Sequence, residues 1–151
     1  MPYRLLAPLL ILAALSGCEP DARNDAIIFL DRVQRIDLDD SIADRQRLVE
    51  SLRSLPLSAP EVTRARDACV EAHETILSAE ELTQNARAQI ERYEGDESQI
   101  PITERQRIER DIQRSTQLIE RSRSHFDTCH RLTRDLEVRY RGRRARSDGE
   151  N

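Results

Sequence analysis

The chain has no Lys, no Trp, one Met, which is the first residue, and only two Phe and three Tyr in 151 residues. All 24 of its basic residues are therefore Arg. Gly is scarce too: there are four, none in a Gly-rich run of the kind that cradles phosphate groups. So few aromatics and glycines, with 34% charged residues, argue against a sheet-rich core and point to long, exposed helices. Nor does any apolar run reach the about 20 residues that a permanent bilayer span requires. The longest, residues 5–15, has 11 residues and is interrupted by Pro8.

That run nevertheless carries the most specific signal in the chain. Arg4 supplies a positive charge ahead of it, and Leu15-Ser16-Gly17-Cys18 follows directly, so residues 1–17 read as an export signal. The Leu-Ser-Gly-Cys motif resembles the lipobox of bacterial lipoproteins, over about the first 20 residues only. The resemblance implies cleavage before Cys18, a diacylglycerol on the Cys18 sulfur and, commonly, a palmitate-type acyl chain on the new amine. Such a protein is anchored to a membrane rather than spanning it, and needs no cofactor beyond the covalent lipid. Glu19 stands where Asp retains enterobacterial lipoproteins in the inner membrane, so the expected place is the outer membrane, facing the periplasm. Residues 18–24 would form a tether reaching little more than about 20 Å.

The rest reads as one all-α domain, residues 25–141, with helices near 25–38, 41–55, 60–94 and 102–141. In the first, Ile27, Leu30, Val33 and Ile36 form an apolar stripe, widened by Ile28 and Phe29. The second starts at Ser41, which with Asp44 has capping-box spacing, and Ser58 with Glu61 repeats that spacing before the third. Pro56 and Pro60 separate the two. The third helix repeats Val62, Cys69, Ile76, Thr83 and Ile90 by sevens, beside Ala65, Ala72, Ala79, Ala86 and Tyr93. In the fourth, Ile112, Ile119, Phe126, Thr133 and Tyr140 run beside Ile108, Ser115, Ser122, Cys129 and Leu136. These are heptad seams, and the short connection at 95–101 folds them back antiparallel.

In an antiparallel pair, facing residues have a constant sum of numbers. Cys69 and Cys129 sum to 198, which then sets Ala72 against Phe126, Ala79 against Ile119, Ala86 against Ile112, and Ile76 against Ser122. Most layers match a small residue with a large one, as a tight seam requires. One flank carries Ala68, Leu82, Leu118 and Leu132, and the other Arg66, Glu80, Arg87 and Glu109. The apolar flank is the expected seat of the first two helices. The reading is a helical bundle built on a long antiparallel coiled-coil hairpin, bridged by a Cys69–Cys129 disulfide suited to an oxidising compartment.

Metal and catalytic sites are not expected. Cys69/His73 and His125/Cys129 have helical i,i+4 spacing, but the two His fall on opposite flanks, so one tetrahedral ion could not collect all four. Glu80/Glu81 and Asp39/Asp40 read as solvated faces and caps, and no Ser, His and Asp converge. Cleavage leaves 23 Arg against 28 acids, a net charge of −5, which speaks against nucleic acid. The one charge concentration is Arg139, Arg141, Arg143, Arg144 and Arg146, opening an Arg-rich, disordered 142–151 tail. It is a candidate contact for an anionic envelope component or an acidic envelope protein. A structural, scaffolding or assembly lipoprotein is the expected function; a ligand-binding or inhibitory module is the alternative, using a groove between the short helices and the hairpin. Without Lys, covalent attachment to peptidoglycan through a C-terminal Lys, as in the murein lipoprotein, is excluded.

Overall fold

The computed structural model describes residues 19–93 and 96–141, and among these every regular element is helical. The first helix, α1 (Glu19–Val33), accepts Pro20 because a first-turn N–H has no intrahelical partner to lose. It begins six residues before the expected start, so residues 19–24 are helix rather than extended tether and rise only about 9 Å. It also ends at Val33 rather than 38. Its buried face is Ala22, Asp25, Ala26, Phe29 and Leu30, while Ile28 is 49% exposed. The apolar stripe is therefore centred one residue away from the reading on Ile27.

Helix α2 (Ile42–Arg53) starts as its capping pattern requires. The Asp44 N–H donates to Ser41 Oγ at 3.1 Å, and the Ser41 hydroxyl donates to the Asp44 carboxylate at 2.6 Å. The start of α3 (Pro60–Glu91) departs from expectation. Its N-cap is Ala59, which has no side chain to offer, and Ser58 turns away from Glu61. Asp25 of α1 supplies the cap instead, accepting from Ser58 N at 2.7 Å, Ala59 N at 2.8 Å and Ser58 Oγ at 3.0 Å. Burial alone would raise its carboxyl, but the bonds from Ala59 and Ser58 outweigh it and hold Asp25 below the ordinary carboxylate range. A charge at a helix N-terminus thus ties α1 to α3.

Helix α4 (Ile102–Leu136) continues without a break into a π-helical turn, Glu137–Arg141. It runs antiparallel to α3 in the expected register. Cys69 and Cys129 are joined, with Cα atoms 4.7 Å apart. About four turns up the arms, Thr83 and Ser115, also summing to 198, bring their hydroxyls to 2.8 Å. Both also reach the Ala79 carbonyl, Ser115 from across the seam at 2.8 Å and Thr83 from its own helix at 3.0 Å. A hydroxyl bonding the backbone of the facing helix requires a close approach, which the Ala and Ser side chains allow. On α4 only Ile108, Ser115, Ser122, Cys129 and Leu136 are buried within that helix. Ile112 and Ile119, expected to fill the layers opposite Ala86 and Ala79, lean outward and are 46% and 38% exposed.

The first two helices sit on the flank opposite to the one expected. Arg45 of α2 reaches Glu80, Arg53 reaches Glu74, and Val49, Leu52, Val70 and Leu77 share one core. Rising numbers on α2 meet falling numbers on α3, so those helices are antiparallel as well. The charged flank with Arg66 and Glu80 is thus the covered one: Arg66 donates to the Leu55 carbonyl at 3.1 Å. The flank with Ala68, Leu82, Leu118 and Leu132 stays partly open. The product is a four-helix base from which α3 and α4 extend as a two-helix arm. At its tip Ala86, Ile100 and Ile108 form a second small core, and the Tyr93 hydroxyl donates to Glu104 at 2.6 Å.

Candidate functional site

Three regions of the surface and interior carry chemistry. The first is a polar cluster under α2. Arg45 stands at a core position of the Ile42–Val49–Leu52 stripe and is 3% exposed. Its Nε donates to the Asp40 carbonyl at 3.1 Å, and its two terminal nitrogens clamp both oxygens of Glu80. Each of its three nitrogens has a partner, which is what makes a buried guanidinium tolerable. Glu80 is therefore a partner of the core and not a solvated face, although Glu81, bonded by Gln46, is exposed.

His73 lies beside this pair. Its ring meets the edge of Phe126 at 5.0 Å between centroids, and Phe126 in turn lies 5.9 Å from His130. Burial, then the Arg45 charge, then His130 push its pKa down to about 4. Folded His73 is thus neutral at neutral pH. Between about pH 6.5 and 4 the unfolded chain takes up a proton that the folded chain refuses, so stability falls as pH drops through that window. The full loss is about 3 kcal/mol. Denaturant titrations at pH 7 and pH 4 should show it, and His73→Phe should remove that share of the difference. An identical pH dependence in the variant would assign the loss to other groups.

The second region is a cleft of about 480 Å³ between α2 and α3, with Val49 and Leu77 as its floor and Glu50, Glu74 and Glu81 at its rim. The third is the open flank. There, two depressions follow the α3–α4 line: one of about 170 Å³ at Ala68, Glu71, Ser124, His125 and Thr128, and one of about 380 Å³ nearer the tip. Leu82, Gln89, Arg92, Glu104, Arg107 and Asp111 line the larger. His125 Nδ1 stands 3.2 Å from Glu71, on the side of the hairpin away from His73. No group of three or more possible metal ligands occurs among the described residues.

Of the residues singled out in the sequence, Cys69 and Cys129 form the bridge. Arg139 stands 3.6 Å from Glu61 and lies over the Tyr140 ring at 5.3 Å, while Arg141 stands 3.6 Å from Glu137. The Tyr140 hydroxyl donates to the same Glu61 at 2.7 Å. That bond first, with Arg139 and Arg64 further off, keeps the Glu61 carboxyl below its ordinary range despite partial burial. These two Arg thus begin as part of the joint between the end of α4 and the start of α3. Cys18, Arg143, Arg144 and Arg146 lie outside the described residues, as does the 1–17 signal. Arg45 and Asp25 were missed, yet each left a signal: a charged residue at a core position of an apolar stripe. Among the described residues no helix is long and apolar enough to cross a membrane. Comparison with protein-family models, with curated proteins and with solved structures returns no match.

Proposed function

We propose that the protein is a bacterial lipoprotein, anchored through Cys18 to the outer membrane on its periplasmic face, with a structural, scaffolding or assembly role toward an envelope partner. The observation that carries this reading is Leu15-Ser16-Gly17-Cys18 placed directly behind a short apolar run. The fold suits it. Helix α1 begins at Glu19, next to the lipidated residue, and its Asp25 touches the start of α3, so the four-helix base is the membrane end. The arm then carries its tip about 50 Å away, the length of the 35-residue α4. Arg139 and Arg141 lie at the base, where anionic headgroups or an acidic partner would meet them, and Arg143, Arg144 and Arg146 follow in the sequence.

The alternative, a ligand-binding or inhibitory module, is favoured by the α2–α3 cleft, whose floor of Val49 and Leu77 would suit a small apolar ligand. Copurifying protein supports the first reading, and a copurifying small molecule the second. The anchor itself is tested by Cys18→Ser. The variant should lose its lipid mass and leave the membrane fraction, whereas wild type processed to Cys18 without added lipid would overturn the reading.

A further inference from the structure

The open flank of the hairpin has the features of a seat for a third helix. Three apolar side chains on it are only partly covered, Ala68 and Leu82 from α3 and Leu118 from α4, set among polar neighbours that include Thr75, Gln89 and His125. Along its α4 edge Arg107, Arg114 and Arg121 repeat by sevens, with Arg110 beside them. All four are exposed, and none makes an ion pair with another described residue. This ladder runs about 21 Å along a chain that is negative overall. Near the tip, Gln89 is 6% exposed, lines the larger depression, and holds its Oε1 buried without a hydrogen-bond partner. A buried amide oxygen left so is costly, and turning the Gln89 amide into the depression would let a donor brought by an occupant satisfy it.

We propose that this flank docks an amphipathic helix of another envelope protein. The helix lays its apolar face on Ala68, Leu82 and Leu118, sets carboxylates against Arg107, Arg114 and Arg121, and brings a donor to Gln89 Oε1. A heptad ladder matches a helical occupant because a helix lying along the groove returns the same edge every two turns. Glu104 and Asp111 at the tip end favour a donor there and keep the acidic stretch of the occupant to the ladder. The proposal rests on the anchored reading in one respect. With the base at the membrane, Arg121 and Arg107 stand about 22 and about 43 Å up the helix from Leu136, beyond contact with the lipid of that membrane. A second copy fits poorly. Paired by a two-fold axis through this flank, it would oppose Arg ladder to Arg ladder, or meet the α3 edge Arg64, Glu71, Ser78, Asn85 and Arg92. That edge has a single carboxylate, already facing His125.

The test uses the wild-type protein purified in detergent from whichever fraction carries it, and two synthetic helical peptides of about 24 residues, each about 36 Å long. Both have leucine on one face; one carries glutamate along the edge of that face and the other lysine. The glutamate peptide should bind at least about tenfold more tightly, with an affinity that falls as salt rises. The R107E/R114E/R121E variant should reverse the preference, and the Gln triple variant should abolish it, with helical circular dichroism and the disulfide unchanged. Equal binding of the two peptides, no binding, or unchanged binding by the variants would overturn the proposal. So would phosphatidylglycerol vesicles binding through these three Arg in preference to the peptide, or a dimer in sedimentation that the substitutions dissolve. Absence of lipid on Cys18 would sink the anchored reading alone, because the peptide preference is measured independently of it.

Discussion

Glu80→Ala should destabilise the protein by about 3 kcal/mol, more than its partly exposed position suggests. The loss comes less from the ion pair than from what it leaves behind. Arg45 is 3% exposed and would retain a single partner, the Asp40 carbonyl, for a guanidinium that two carboxylate oxygens now satisfy. An uncompensated charge would then lie under α2, and the chain could relieve it only by lifting that helix. Replacing both partners tests the mechanism. Arg45→Met with Glu80→Leu removes charge and desolvation together and should recover most of the loss, a coupling that denaturant midpoints of the four chains measure directly. If the double variant is as unstable as the sum of the two single ones, the pair is not coupled. Lifting α2 would also hydrate His73, so Glu80→Ala should weaken the stability loss between pH 7 and 4.

Removing the bridge should have an effect of similar size. Cys69 and Cys129 are 60 residues apart in sequence, and closing such a loop restricts the unfolded chain by about 4 kcal/mol. This is an upper figure, because a hairpin with a local turn keeps its ends near each other even when loosened. Cys69→Ala with Cys129→Ala should therefore lower the unfolding free energy by about 3 to 4 kcal/mol and steepen the dependence on denaturant, since the unbridged chain exposes more surface. Its helical content in water should remain, because Val62, Ala65 and Ala72 stay buried around the site. A variant as stable as wild type would mean that the unfolded chain is already held together without the bond.

The hairpin was legible in the sequence because a heptad repeat and a pair of cysteines both report register, and Thr83 with Ser115 follows from the same arithmetic. What could not be read was which flank the short helices choose. Apolar content favoured Ala68, Leu82, Leu118 and Leu132, but Arg45 and Glu80 neutralise each other on the charged side, and two residues 35 apart in sequence leave no periodic trace of that match. The outward lean of Ile112 and Ile119 was hidden for a related reason. Heptad spacing gives the direction of a side chain but not how close the helices come, and Ala79 against Ser115 brings them near enough that the neighbouring large residues are displaced to the rim. The cap of α3 likewise came from another helix, Asp25, where only local spacing could be inspected. The candidate docking flank did not emerge from the sequence, since its openness depends on where α1 and α2 settle.

The position of the bridge has a mechanical consequence. The disulfide ties α3 to α4 within the base, while the arm beyond Glu81, about 15 Å to Glu91, has its seam, its tip core and Tyr93 with Glu104 to hold it closed. A load that peels the two helices of the arm apart from the tip breaks these contacts one layer at a time. At Cys129 it then meets a covalent bond, where peeling stops, and tension passes to the base as a sideways pull rather than a separation of its helices.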